Sequence, residues 1–303
     1  MRRTLSQECS LLAAFVLVVI GIFYVVPLIQ IVFGSLISDS GLSATGDGHF
    51  VGFSNYSRAW YEPEFGQALL ATIAFTIPAV LVQLGFAFAA ALLTSRNYPT
   101  VGFLRAVLVA PYFLPTVVVV MAWRFFADPF VGILPDIFKY IGASPPDLQG
   151  PSAALPTMIL VATYEAFPFT YVILLARMMQ IPTALYEVAE LDGAGPLRRF
   201  SAVTWPQVRL TIGGLVLLRG LITWLKFDVP WLVYAGKAQS PWGDTLGVRI
   251  YRLAFQSLQR GDAYAISFTL ILAAWAFYGS WILFSKGATG RNTLFRVTGL
   301  ARR

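Results

Sequence analysis

The chain has 303 residues and a formal net charge of +7, with 57% apolar and only 12% charged residues. Soluble domains carry about 25% charged residues, so an ordinary cytosolic globule is excluded. The apolar runs are too long for a nucleic-acid-binding surface, so the basic excess indicates a membrane and no nucleic acid partner. The single cysteine, Cys9, and the single histidine, His49, exclude a disulfide framework and a thiolate-rich or histidine-rich metal site.

Six apolar stretches are long enough to cross a bilayer, because a spanning helix needs roughly 20 apolar residues. They cover residues 11–33, 68–93, 103–123, 155–178, 212–234 and 263–284. The pattern predicts an all-α integral membrane protein in which residues 1–303 form one transmembrane domain. We interpret the first stretch as a retained helix and not a secretory signal, because its apolar run is too long and no small-residue cleavage pattern follows.

Prolines interrupt most of these stretches. Six of them lie inside the apolar runs: Pro27, Pro78, Pro111, Pro115, Pro168 and Pro230. A membrane tolerates such breaks where neighbouring helices or a water-filled cavity satisfy the freed backbone groups. The prolines therefore favour broken helices around a pathway, and structural kinks are the alternative reading at each of them.

Lysine and arginine are unevenly divided between alternate loops, which predicts orientation. With the N-terminus inside, the internal segments carry twelve such residues and the external loops carry seven. Both termini are therefore expected in the cytoplasm of a multi-pass protein of the cell membrane.

Motifs for catalysis and nucleotide binding are absent. The sequence contains no G-x-x-x-x-G-K-[ST], G-x-S-x-G, H-E-x-x-H or CxxC pattern. Glu165 and Asp228 are the only acids deep within the predicted spans, too few for a catalytic cluster near one interface. We expect no catalytic residue, metal or cofactor in this chain, so the energy for any transport comes from elsewhere.

The segment between the fourth and fifth spans, residues 181–207, carries the most information. Pro182 and Thr183 predict the start of a short helix, and Gly193 predicts its end at a sharp turn. Phe200 offers an anchor for a pocket in another protein. An interfacial amphipathic loop that merely connects two spans explains the same residues equally well. The apolar face of the helix comprises Leu185, Val188 and Ala189.

This segment resembles the cytoplasmic coupling loop of importer-type ABC permeases, whose pattern is E-A-A, then D-G-A, F and L-P. Val188 and Trp205 depart from that pattern. Seven residues match it: Glu187, Ala189, Asp192, Gly193, Ala194, Phe200 and Pro206.

The resemblance extends over nearly the whole chain, within the carbohydrate-uptake branch of these permeases. Residues 50–56 resemble its F-x-G-x-x-N-Y segment, whereas residues 234–241 lack its T-x-G-G-P turn. Residues 192–200 look most like the glycerol-3-phosphate and glycerophosphodiester permeases. Because a coupling loop does not touch substrate, that likeness concerns ancestry more than specificity.

The family implies a six-helix type I importer permease that forms half of a translocation pathway. A second homologous permease subunit completes the pathway, two cytoplasmic ATPases dock on the coupling loops, and an extracytoplasmic binding protein delivers the substrate. ATP and Mg²⁺ are expected in the ATPases only. In this picture Glu187 caps or orients the coupling helix, Gly193 permits its turn, and Phe200 helps fill the docking surface.

Charged groups within spans are costly and are candidates for substrate contact. On a regular helix Trp224, Asp228 and Trp231 share one face, and Arg219 and Lys226 lie about 160° to 200° away. Both faces line one cavity only if the helix bends. The candidate pathway residues are Tyr164, Glu165, Arg219, Trp224, Lys226, Asp228 and Trp231.

Aromatic rings beside a carboxylate suit a sugar or sugar-like polyol, whereas two buried cations suit a phosphorylated polyol such as glycerol 3-phosphate or a glycerophosphodiester. Asp228 also fits a structural ion pair with a neighbouring helix. The alternative function is a stand-alone secondary transporter or channel for a small polar solute.

Overall fold

A computed structural model describes residues 14–38, 48–148, 150–234, 240 and 242–299, with side chains described up to residue 280. These residues form helices joined by short loops and one two-stranded ladder. They divide into two compact units, one within residues 1–66 and 249–276 and the other within residues 67–248 and 277–303. The single domain expected from the sequence thus contains two units, which are described in turn.

In the first unit, helix α1 (Ala14–Gly34) contains a π-helical turn at Gly21–Val25. Strand β1 (Ile37–Ser38) follows and pairs antiparallel with β2 (His49–Phe50). Helix α2 comprises Ser54–Tyr61.

The other helices contributing to the first unit lie near the end of the chain. Helix α11 comprises Leu246–Tyr251 and is followed by a π turn at Arg252–Gln256. Helix α12 comprises Arg260–Gly299.

Buried polar contacts hold the first unit together around α2. Asn55 is fully buried and donates to the carbonyls of Ser35 and Ile37, at 2.9 Å each. Arg58 donates to Asn55 and to both carboxylate oxygens of Asp262 on α12, at 2.5 to 3.0 Å. The asparagine of the F-x-G-x-x-N-Y segment therefore joins the end of α1 to the start of α12.

The second unit is built around α3 (Pro63–Thr94) and α7 (Ala154–Met179). Pro78 and Pro168 lie inside these helices, which continue through them. Alanines that are completely buried let neighbouring helices approach α3 closely, as is usual in membrane bundles. They are Ala68, Ala71, Ala87 and Ala91.

The third predicted span consists of two helices, α4 (Val101–Val109) and α5 (Thr116–Phe126), bent by 103°. A 3₁₀ turn at Ala110–Phe113 ends the first of them. Leu114 is extended, with φ −89° and ψ 130°, because the ring of the following Pro115 disfavours helical geometry there.

The fifth predicted span is also broken. Helix α9 (Pro196–Trp224) and helix α10 (Asp228–Tyr234) meet at an angle of 47°. Helix α9 begins well before residue 212, so the second half of the loop 181–207 is continuous with the span. A π turn at Phe200–Thr204 lies between the two parts. Two further helices precede these: α6 (Ile133–Tyr140) and α8 (Thr183–Leu191).

Within the described part of the chain, four helices are long and apolar enough to cross a membrane, and up to six spans result if each bent pair counts as one. The all-α membrane class is thus confirmed. Residues 11–13 of the first predicted span lie outside the described residues, as do residues 235–239 and 241 of the segment that lacks the T-x-G-G-P pattern.

Candidate functional site

A cluster of charged side chains lies in the second unit, beside the break between α4 and α5 and the break between α9 and α10. The Lys226 ammonium lies 3.2 Å from the Glu165 carboxylate and 3.2 Å from that of Asp228. Thr116 donates to Glu165 Oε1 at 2.9 Å. We call these four residues, Thr116, Glu165, Lys226 and Asp228, the Lys226 cluster.

The two breaks explain why these residues meet. Thr116 is the first residue of α5, directly after the bend at Pro115. Lys226 lies between α9 and α10, and Asp228 is the first residue of α10, where its Oδ1 accepts a hydrogen bond from the Val229 amide at 2.9 Å. The geometry of a continuous helix no longer applies across residues 225–227, so Lys226 and Asp228 face each other.

Burial strengthens the ion pairs within the Lys226 cluster. The side chain of Lys226 is 11% exposed, that of Glu165 21% and that of Asp228 41%. Glu165 is the twelfth residue of the 26-residue α7, about 17 Å from the start of that helix. Charges at such a depth are costly unless they are paired, and here one cation serves two carboxylates.

Arg219 lies elsewhere on α9 and has a different partner. It is buried and donates from Nε to Gln83 Oε1 at 3.1 Å. The sequence pointed to Arg219 but not to Gln83 or Thr116. Gln83 could have been noticed as a glutamine inside an apolar run, and Thr116 as a threonine directly after a proline.

The predicted aromatic residues do not all join the Lys226 cluster. Trp231 stacks on Phe227, with ring centroids 5.6 Å apart, and Tyr164 packs edge-on against Trp123 at 5.8 Å. Trp224 is half-buried at the end of α9. Among the described residues, no group of three or more His, Cys, Asp or Glu side chains is placed to hold a metal ion.

The loop 181–207 forms a short helix and a sharp turn, as predicted, and then the first part of α9. Gly193 has φ +73°, a left-handed conformation that glycine adopts without strain. The amide of Ala194 donates to Ala189 at 2.9 Å, and that of Gly193 donates to Glu190 at 3.0 Å. These two bonds close a Schellman motif at the end of α8.

The inner side of this loop contacts α9 and the core. The hydroxyls of Tyr186 and Thr204 share a hydrogen bond at 2.9 Å, and Arg199 pairs with Glu190 at 3.2 Å. Phe200 packs edge-on against Phe88, with ring centroids 6.0 Å apart.

The structure bears on two of the expected roles. Phe200 is half-buried and packs against Phe88 of its own chain, and its part in filling the docking surface stays a prediction. Glu187 is exposed in the middle of α8, and the N-terminus of that helix has no side-chain cap, so Glu187 does not cap it.

The outer side of the loop presents apolar side chains. Leu191 is 88% exposed and Leu197 is 85% exposed, one on each side of the Gly193 turn. Leu185 and Val188 of α8 are also exposed, as is Asp192. Pro206, also exposed, follows the π turn and cannot donate to the helical ladder, which accounts for the irregular backbone there.

A comparison with protein families decides the class of this chain. The family described as "Binding-protein-dependent transport system inner membrane component" matches residues 82–284, which include the Lys226 cluster and the loop 181–207. The chain belongs to this family. It is accordingly a transport protein and not an enzyme.

Individual relatives agree with this assignment. The chain is 29% identical over 276 residues to the sulfoquinovosyl glycerol transport system permease protein SmoG of Agrobacterium fabrum, covering 88% of this chain and 86% of that one. It is 27% identical over 247 residues to the trehalose/maltose transport system permease protein MalF of Thermococcus litoralis, covering 81% of each.

A solved structure has the same fold as this permease. A chain of a bacterial alginate ABC transporter, determined in complex with an alginate pentasaccharide-bound periplasmic protein, superposes with a TM-score of 0.78 at 23% identity. The match covers 96% of both chains.

Proposed function

We propose that this permease is one of two membrane subunits of an ATP-driven importer for a sugar or a sugar-like polyol. The observation that carries the proposal is the continuity of one helix, α9, from the loop 181–207 to the Lys226 cluster. A second permease subunit completes the pathway, two ATPases bind the loops, and an extracytoplasmic binding protein delivers the substrate.

The ATPase docking surface comprises the exposed side of α8 and the Gly193 turn. Leu191 and Leu197 flank the turn, and the small residues Gly193 and Ala194 between them let a partner backbone approach closely. Apolar anchors surrounded by polar side chains are typical of protein interfaces.

Motion of α8 passes to the pathway through α9. The Tyr186–Thr204 hydrogen bond and the Glu190–Arg199 ion pair fix α8 to the first turns of α9. Helix α9 has 29 residues and is about 43 Å long, and it ends two residues before Lys226. A displacement of α8 therefore changes the position of the Lys226 cluster.

Sugar and polyol transport is supported by the relatives and by the cluster. By their names, the two relatives transport sulfoquinovosyl glycerol and trehalose or maltose, and alginate transporters of the same fold import an acidic polysaccharide. Carboxylates accept hydrogen bonds from hydroxyl groups, and the half-buried aromatic pair Phe227 and Trp231 adjoins Asp228. Glycerol 3-phosphate and glycerophosphodiesters are the anionic alternatives within this class.

The twelve internal and seven external basic residues support cytoplasmic termini. Cys9 is the only cysteine of the chain, so it is a specific probe of sidedness. A membrane-impermeant maleimide should label Cys9 in inside-out vesicles and not in intact cells. The opposite labelling contradicts this orientation.

The deciding experiment reconstitutes the chain with its partner permease, ATPase and binding protein in proteoliposomes. ATP-driven uptake of maltose, trehalose or a related polyol that requires the binding protein supports the proposal. Uptake that persists without ATP and without an associated ATPase favours the alternative, a stand-alone transporter or channel.

A further inference from the structure

The donors of Lys226 are already directed at carboxylates. Its ammonium lies 3.2 Å from both oxygens of Glu165 and 3.2 to 3.3 Å from both oxygens of Asp228. An ammonium has three donors and no acceptor, so two carboxylates in this geometry leave little capacity for an anionic ligand. A phosphate or sulfonate would have to displace a carboxylate from Lys226.

Arg219 has a different partner. It is buried and donates from Nε to Gln83 Oε1 at 3.1 Å. The formal charges of Arg219, Lys226, Glu165 and Asp228 sum to zero. Without Arg219, the three charged members of the Lys226 cluster carry a net charge of −1.

Asp228 provides the accessible acceptor oxygens of the cluster. Asp228 is the most exposed charged member of the cluster, at 41% of its side chain. Glu165 Oε2 is buried and accepts no hydrogen bond from the described residues, although it lies within ion-pair distance of Lys226. Hydroxyl donors of a ligand complement the exposed oxygens of Asp228, whereas an anionic group would meet like charge in a medium of low dielectric constant.

We propose that the Lys226 cluster selects polyhydroxylated substrates that carry no negative charge. In this arrangement Asp228 accepts hydrogen bonds from the substrate, Glu165 fixes Lys226, and Lys226 pairs with both carboxylates. The inference rests on the function proposed above and narrows its substrate class, because the names of the relatives and of the solved neighbour include disaccharides and an acidic polysaccharide.

The test compares matched neutral and anionic probes on the complete complex. The pairs are trehalose with trehalose 6-phosphate, and maltose with maltobionate, together with sn-glycerol 3-phosphate. Binding to the purified complex without the binding protein is measured by tryptophan fluorescence, and uptake is measured in proteoliposomes with the binding protein. We expect neutral probes to bind at least tenfold more tightly than their anionic partners.

The variant Asp228→Asn separates specificity from folding. It should weaken binding of the neutral probes about tenfold. It should also reduce the ratio of the affinity for neutral probes to the affinity for anionic probes, because the net charge of the cluster becomes zero. Asp136→Asn is the matched control, since Asp136 is exposed and pairs only weakly with Lys139 at 3.4 Å. This control should change neither the affinity for the neutral probes nor the ratio of affinities for neutral and anionic probes.

Each outcome has a definite meaning. Equal or tighter binding of the anionic probes overturns the inference while leaving the importer function intact. An unchanged ratio in Asp228→Asn also overturns it. Absence of binding and of uptake for every probe contradicts the proposed function and the inference with it.

Discussion

The hydroxyls of Tyr186 and Thr204 share a hydrogen bond at 2.9 Å that joins α8 to the π turn of α9. Thr204 is buried, and Tyr186 packs against the core that contains Leu174 and Val208. The bond therefore links the exposed helix of the loop 181–207 to the buried part of the permease.

Loss of this bond should uncouple ATP hydrolysis from transport. Tyr186→Phe keeps the ring and removes the hydroxyl, at a cost of about 1 kcal/mol in stability. We expect the amount of sugar transported per ATP to fall several-fold while the ATPase activity of the complex remains. Thr204→Val should do the same, and the double variant should be no worse than either single one. Additive losses would show that the two hydroxyls act independently.

Substitutions of Gly193 test the role of the turn in the same loop. Its φ of +73° is unfavourable for a β-branched residue, and a Cβ there would meet no atom within 4 Å. Gly193→Val should therefore insert into the membrane normally but distort the turn and abolish ATP-driven uptake. Gly193→Asn is the matched control, because asparagine tolerates this conformation, and it should retain most activity. Equal uptake by the two variants would contradict a conformational role.

The Lys226 cluster predicts a specific pattern of destabilisation and rescue. Lys226→Met leaves two carboxylates unpaired within the span and should destabilise the purified complex by roughly 3 kcal/mol. Adding Glu165→Gln should recover part of the loss, because one of the unpaired charges disappears. Thermal unfolding in detergent measures both effects. A double variant less stable than Lys226→Met would exclude this charge pairing.

The ion pair of Arg58 and Asp262 should stabilise the first unit. Asp262 is buried and Arg58 is half-exposed, so Asp262→Asn should cost about 1 to 2 kcal/mol, with solvent screening taken into account. The corresponding change in the exposed pair of Lys139 and Asp136, Lys139→Gln, should shift the melting temperature negligibly.

The pH dependence of this pair follows from Arg58. Hydrogen bonding to Asp262 raises the pKa of the Arg58 guanidinium above its ordinary value. A raised pKa contributes stability that is complete below the unfolded pKa and is lost only as pH rises through the folded one. The difference in melting temperature between wild type and Asp262→Asn should therefore be the same at pH 7 and pH 9. A marked decrease at pH 9 would mean that another group titrates with the pair.

Gly261 and Gly279 form a matched pair on α12. A Cβ on Gly261 would lie 2.7 Å from Asn55 Nδ2 and 2.8 Å from the carbonyl of Ile37, whereas one on Gly279 would meet nothing within 4 Å. Gly261→Ala should lower the melting temperature, and Gly279→Ala should leave it unchanged or raise it, because alanine favours helix by up to about 1 kcal/mol. Similar shifts in both variants would argue against close packing at Gly261.

Hydropathy predicted the helical spans well, because burial in lipid demands a long apolar run whatever its neighbours are. The Gly193 turn was equally predictable, since the conformation of that residue is a local property. Lys226 and Asp228 were both predicted as pathway residues, but their contact was not: a regular helix separates them, and the break between α9 and α10 that unites them depends on contacts with other helices. The contact of Phe200 with Phe88 was not predictable either, because the two residues are distant in sequence.

The π turn at Phe200–Thr204 sets the rotational phase between the two ends of α9. Such a turn holds one residue more than an α-helix does, and each residue of an α-helix corresponds to a rotation of about 100°. If the same residues continued as a regular α-helix, Leu197 would rotate by about 100° relative to Arg219. The π turn absorbs the extra residue and so keeps the cytoplasmic face of the helix aligned with its membrane-embedded face.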